Sequence, residues 1–312
     1  MSYDGILLCD KPYGVSSHDV IGQLRRSIGQ KRIGHTGTLD PRATGLLLIC
    51  LGRATKIAQF MDDHTKVYRA EITLGRSSRT MDAEGIDDLM APQPVPDLSD
   101  RQILQILVGF KGIIRQKVPA YSAVKVGGRR LYKMARKNEI FDTPEKQVEI
   151  TDIKLLEVTL PVLTIEVTCS RGTYIRSLAN DIGEKIGCGA YLSNLCRLKS
   201  GRFSLDDALT LKQIELLRAA GTLKRYIVPI EKALGVPGIK VDEKFAPSVI
   251  SGRSPRLHDI REVIGVFDRE DMIALLDPAG RIMAVGRAMA ASIELNDSFQ
   301  GDQFFKYVRV LN

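Results

Sequence analysis

Apolar residues fall along the chain in two rhythms, and each predicts its own kind of element. Residues 5–9 and 46–51 are short unbroken apolar runs, stopped by Lys11-Pro12 and bounded by Gly45 and Gly52, the pattern of buried strands. Between them Val20, Ile21, Leu24 and Ile28 recur at helical spacing behind Ser16 or Ser17 as cap. A helix is expected over 53–61, with Ile57, Phe60 and Met61 on one side. From Val67 to Leu74 the pattern alternates, placing Tyr68, Ala70, Ile72 and Leu74 on one face and so turning Tyr68 inward. Ser99 then caps a helix carrying Ile103, Leu104 and Leu107 to Phe110.

The second half predicts a sheet and then a change of style. Gly127-Gly128 marks a hairpin turn before a helix over 129–137, and strands follow over 147–158 and 163–169. Gly172-Thr173-Tyr174 opens a helix with its stripe at Ile175, Leu178, Ala179, Ile182 and Ile186. Arg176 sits one residue off that stripe, in a first turn where the helix dipole favours an acid, so it calls for a nearby carboxylate. A strand is expected over 195–203, and Thr210 with Gln213 forms a capping box. Gly235-Val236-Pro237-Gly238 reads as a linker to a β-rich domain of about 70 residues. Its strands fall over 263–267, 272–276, 282–285 and 304–310, with a turn at Asp277 to Gly280 and a helix near 245–250.

One stretch departs from both rhythms. Gly34-His35-Thr36-Gly37-Thr38-Leu39-Asp40-Pro41 puts two glycines, a histidine, two threonines and one carboxylate between apolar runs, and reads as a shaped loop. Taken alone, Asp40 suits a turn cap as well as it suits chemistry.

Charge narrows the function. The net charge is +8, but residues 239–312 carry 10 Lys/Arg against 11 Asp/Glu, so the basic character belongs to residues 1–238. From Lys111 to Asn138 there are nine basic residues and no acidic one, Lys125, Arg129 and Arg130 among them, which favours a polyanion partner over a mixed solvated face. The five cysteines are odd in number, without Cys-x-x-Cys, and fit buried reduced thiols; His18, His35, His64 and His258 are too scattered for a metal site. No secretory signal or run long enough for a membrane span is present, so the chain is expected in the cytoplasm, without metal.

Several chemistries drop out. Gly37 is followed by Thr38-Leu39 instead of Lys-Ser/Thr, Gly187-Cys188-Gly189 lacks the third glycine of a dinucleotide turn, and neither Gly-x-Ser-x-Gly nor His-Glu-x-x-His occurs. A loop carboxylate, an inward tyrosine, an off-stripe arginine and a basic flank remain, a set suited to chemistry at a sugar-base bond within a polyanion.

With these residues assembled, the chain closely resembles the TruB family of pseudouridine synthases. The match rests on Gly34 to Pro41 followed by Ala43-Thr44-Gly45, on Lys66-Val67-Tyr68-Arg69, on Tyr121-Ser122-Ala123-x-Lys125, and on Arg171-Gly172-Thr173-Tyr174-Ile175-Arg176-Ser177-Leu178. Lys11-Pro12 with Ser17-His18-Asp19 fits the family's opening. Together these motifs span residues 5 to 203 in the family's order.

The resemblance implies an α+β protein. A mixed, mostly antiparallel sheet with flanking helices would form a catalytic domain over 1–236, and a small PUA-like RNA-binding domain would occupy 239–312. It implies a tRNA pseudouridine-55 synthase that isomerises one uridine in the T-arm loop, needs no cofactor, and works as a monomer without an obligate protein partner. By the same resemblance Asp40 is the catalytic aspartate and Arg176 the arginine that keeps it ionised. Tyr68 stacks on the target base and helps remove the C5 proton, and Leu195 packs on the other side. His35 takes the place of the flipped nucleotide, Asp82 supports the site, and Lys11, Tyr174, Lys125, Arg129 and Arg130 complete the RNA-binding set. Two other readings stay open: an RNA-folding protein in which isomerisation is secondary, and a synthase subunit guided by a separate RNA.

Overall fold

The computed structural model describes residues 2–61, 65–86, 92–295 and 303–311. Strand β1 (Gly5–Lys11) is followed by helix α1 (Ser17–Ile28), which Ser16 caps in a reciprocal box with Asp19 and Gly29 ends in the left-handed region. Its Val20, Ile21, Leu24 and Ile28 are buried as the spacing requires. Here the first difference appears: β2 (Ile33–Thr36) takes up the beginning of the predicted loop. It pairs with β3 (Thr44–Leu51), His35 facing Ile49. The buried edge of β3 explains this. Strand β1 covers one side from end to end, while a later strand reaches only Thr44 and Gly45 on the other, leaving backbone groups that β2 satisfies.

The helix predicted over 53–61 divides into a 3-10 turn, Gly52–Lys56, and a short α2 (Ala58–Met61). Strand β4 (Lys66–Leu74) keeps the predicted alternation, with Tyr68, Ala70, Ile72 and Leu74 buried. Helix α3 (Asp100–Val108) begins at the Ser99/Gln102 box. Strand β5 (Gly112–Lys117) precedes a hairpin of β6 (Lys125–Val126) and β7 (Arg129–Arg130), turned by Gly127 and Gly128 at positive φ. Because pairing consumes Arg129 and Arg130, helix α4 runs only over Leu131–Ala135.

Strands β8 (Glu145–Thr159) and β9 (Val162–Cys169) lead into helix α5 (Ile175–Ile186) and strand β10 (Ala190–Ser200), which starts five residues before the expected strand. Short strands β11 (Phe203–Ser204), β12 (Leu209–Thr210) and β13 (Ile227–Val228) alternate with helices α6 (Leu211–Ala219) and α7 (Ile230–Leu234), and the Thr210/Gln213 capping box is present. The central sheet runs β12-β1-β3-β10-β4-β9-β8-β5, antiparallel except at β1/β12 and β3/β10. Helices α3 and α5 cover its β4–β9 portion, and α1 and α6 cover β1 and β3.

A second sheet is built from β14 (Gly238–Val241), β15 (Ile260–Ile264), β16 (Met272–Leu276), β17 (Ile282–Ala288) and β18 (Phe305–Val310), in the order β15-β14-β16-β17-β18, with helix α8 (Ala246–Ile250) beside it. The strand expected over 263–267 ends at Ile264, since Gly265 turns the chain at positive φ and Phe267 enters the core. The supposed linker is a packed junction. Leu276, Ile282, Val285 and Leu311 share one core with Ile6, Leu8, Leu46 and Leu48, and Arg53 and Lys56 donate to carbonyls of Ile282 and Val310.

The resulting architecture is α+β. Cys9, Cys50, Cys169 and Cys188 are buried and Cys196 partly so, all as free thiols; burial pushes the Cys9 and Cys50 thiols up to about 12. His64 lies outside the described residues. No described helix is long and apolar enough to cross a membrane.

Candidate active site

A cavity of about 770 Å³ opens where the 37–42 turn, β4, residues 79–85, the 121–136 region, the start of α5 and β10 converge. Its catalytic candidate is carried by a turn clamped from three directions. Ser17 Oγ accepts from Leu39 N–H at 2.9 Å and donates to Leu39 O at 3.0 Å. Lys11 Nζ donates to Pro41 O at 3.1 Å, and Arg197 Nη2 to Gly37 O at 2.8 Å. Gly37 turns at φ +60°, and the side chain of Leu39 is buried beneath. Such anchoring fixes where Asp40 points without using Asp40 itself.

The Asp40 carboxylate is not a turn cap. Its Oδ2 lies 3.0 Å from Arg176 Nε, and its side chain is 45% exposed to the cleft while that of Arg176 is 7% exposed. The rest of the guanidinium is held by Thr80 O at 3.1 Å, Tyr121 O at 3.2 Å and, at 3.6 Å, the Asp82 carboxylate. Asp82 in turn accepts from Thr80 Oγ1 and from the Glu84 N–H. Two carboxylates thus answer the arginine placed at the wrong end of a helix dipole, as its sequence position required.

Tyr68 and Leu195 stand on neighbouring strands. Tyr68 is paired with Arg197 and Ala70 with Leu195, so the tyrosine, the leucine and the arginine share a face and all three line the cavity. Tyr174 also lines it. The buried Gln116 side chain fixes its backbone, accepting from Tyr174 N–H at 3.0 Å and donating to Tyr174 O at 3.3 Å. Burial pushes the Tyr174 phenol up, with Arg176 opposing and Asp40 reinforcing.

The structure therefore brings together Asp40, Tyr68, Asp82, Tyr174, Arg176 and Leu195. His35 is half-buried on β2 and does not line the cavity. Lys11, expected in the RNA-binding set, does not line the cavity either. It is fully buried, and its ammonium donates to Pro12 O, Val15 O and Pro41 O, so its three N–H groups are spent on the loop. Desolvation brings its pKa down to about 8, with Asp40 opposing the shift. The basic run is also less bare than its sequence: Arg129 meets Glu139 and Lys111 meets Asp152, acids that lie just beyond or far from the run. Lys125 and Arg130 are exposed on the hairpin. Sequence reasoning missed Arg197, 1% exposed and facing the cleft; an arginine two residues from Leu195 on an inward-facing strand register was the available signal.

Comparisons with known proteins agree with this geometry. Residues 25–175 match the family model described as TruB family pseudouridylate synthase (N terminal domain), and residues 176–235 that of the tRNA pseudouridylate synthase B C-terminal domain. The chain is 42% identical over 293 residues to the tRNA pseudouridine synthase B of Bacillus licheniformis, covering 91% of this chain and 92% of that one. It is 39% identical over 312 residues to that of Syntrophus aciditrophicus, covering 99% of each. A chain in the crystal structure of a Cbf5-Nop10-Gar1 complex superposes with a TM-score of 0.75 at 26% identity, over 99% of this chain and 85% of the other. On the motif order, the fold and these matches, the chain belongs to the TruB family of pseudouridylate synthases.

Proposed function

We propose that this chain is a tRNA pseudouridine synthase that isomerises uridine-55 in the T-arm loop, with Asp40 as the acting carboxylate. The observation that carries the reading is the Asp40–Arg176 pair: a half-open carboxylate held by a buried arginine, beside Tyr68 and Leu195 on one face of adjacent strands. A uridine inside a folded loop reaches such a cleft only by leaving its stack, at a cost of a few kcal/mol. Once there, its base lies between Tyr68 and Leu195, with the sugar toward Asp40.

The reaction breaks the C1′–N1 bond, turns the base, and forms C1′–C5; the C5 proton leaves and N1 gains one. Atoms and electrons balance within the substrate, so the stoichiometry requires no cofactor. Asp40 supplies the negative charge or nucleophile at the sugar or base, and Tyr68 stands where a group accepting the C5 proton is needed. Arg176 holds the carboxylate in its working orientation.

The five-stranded C-terminal domain, taken as residues 239–312, serves as a PUA-like RNA-binding module, and His35, Lys125 and Arg130 contribute to handling the RNA. The chain acts on bare tRNA as a monomer in the cytoplasm. Tritium release from a tRNA transcript labelled at uridine C5 tests this directly: the purified wild-type chain releases label and Asp40→Asn does not. Normal turnover by the variant removes Asp40 from the chemistry, and an inactive purified wild type removes the single-chain reading.

A further inference from the structure

Two arginines of the cleft lie over tyrosine rings. Arg42 directly follows Asp40-Pro41, and its guanidinium carbon lies 6.0 Å from the centre of the Tyr13 ring, a side chain 56% exposed. Arg136, just past α4, repeats the arrangement over Tyr132 at 5.5 Å. Both arginines line the cavity, and among the described residues neither has a carboxylate within 4.0 Å, whereas Arg176 and Arg129 do.

The backbone on either side of the Arg42–Tyr13 pair is tied to the catalytic turn. Gly14 N–H donates to Pro41 O at 3.0 Å and Lys11 Nζ to the same oxygen, so the segments bearing Tyr13 and Arg42 are fastened together beside Asp40. A guanidinium resting on an aromatic face has lost much of its rotamer freedom already, and its in-plane N–H groups stay directed outward. That fork matches the two oxygens of a phosphate, and among the described residues no carboxylate within 4.0 Å occupies it.

A nucleotide whose base enters the cleft brings one phosphate on each side of its ribose. We infer that Arg42 on Tyr13 and Arg136 on Tyr132 are two phosphate seats that hold the backbone on either side of the displaced nucleotide. The inference rests on the pseudouridine synthase reading and adds to it the points where the strand is gripped. The seats act on binding, since both guanidinium groups are committed to the rings and to phosphate, not to Asp40.

Arg42→Gln, Arg136→Gln and the double variant test the inference, with Lys212→Gln on the exposed face of α6 as control and melting temperature as the check on folding. Filter binding of a tRNA transcript across about 50–300 mM salt is read beside tritium release at saturating tRNA. Each single variant is expected to weaken binding about three- to tenfold and to lower the slope of log affinity against log salt by about 0.7–0.9, with the losses adding in the double variant. The saturated rate stays within about twofold, because the grip is lost before the chemistry begins. Unchanged affinity and slope in either single variant, or a loss confined to the saturated rate, overturns the two seats. If the wild type isomerises no uridine in the same transcript, the functional reading fails, and the binding arm still decides the seats by itself.

Discussion

Lys11 offers a quantitative test of how the catalytic turn is supported. It is a fully buried cation held by three carbonyl oxygens, one of them Pro41 O beside Asp40, and burial lowers its pKa from 10.5 to about 8. In the unfolded chain the group keeps its proton up to pH 10.5, so between about pH 8 and 10.5 the unfolded state binds more protons than the folded one. Stability from this group therefore rises with pH through that window. At about 1.36 kcal/mol per unit, the cost of burying the charged form is about 3 kcal/mol at pH 7, and about 2 kcal/mol of it is relieved by pH 9.5. Lys11→Met removes the titration and takes the ammonium donor from the carbonyls of Pro12 and Val15, while Pro41 O keeps the Gly14 N–H. The two effects oppose each other at pH 7, so the informative quantity is the pH dependence of the difference. Urea unfolding of both proteins at 25 °C is expected to show the wild type gaining about 2 kcal/mol on the variant between about pH 7 and pH 9.5. A difference that stays flat, or that shrinks in favour of the variant, refutes a buried, charged Lys11 as the support of the turn.

Two further substitutions probe the same site. Arg176→Lys keeps a charge but cannot reach the carboxylates of Asp40 and Asp82 and the carbonyls of Thr80 and Tyr121 together; the saturated rate is expected to fall about 10²-fold or more with KM within about threefold, and a rate within twofold of wild type rejects the fork as the positioning device. Ser17→Ala removes both contacts to Leu39 and is expected to cost about 1–3 kcal/mol in urea unfolding and to slow tritium release at saturating tRNA; full stability and rate together would show the turn to be held without it.

Where local chemistry decides the structure, the sequence was readable. The helix caps at Ser16 and Ser99 and the Thr210/Gln213 box fall where the sequence puts them, and β4 keeps Tyr68 inward because period-two patterning on a buried sheet permits no other register. Arg176 was legible for a different reason: a cation in the first turn of a helix contradicts the dipole, and such a conflict needs an acid nearby. The structure supplies two. What escaped was decided by neighbours that local patterning does not show. Residues 34–36 looked like loop, yet the uncovered edge of β3 makes them strand, and only tertiary pairing reveals that edge. Lys11, expected in the RNA-binding set, is fully buried and gives its ammonium to three carbonyls. Arg129 and Lys111 belonged to an acid-free run until folding brought Glu139 and Asp152 to them. For these three cations the residue type suits RNA, and the neighbourhood supplies other partners. The cations left for RNA are then to be sought by subtraction, among those that folding has not already neutralised. By that criterion Arg42 and Arg136, over tyrosine rings at the cleft and with no carboxylate within 4.0 Å among the described residues, are stronger candidates than Lys11 or Arg129.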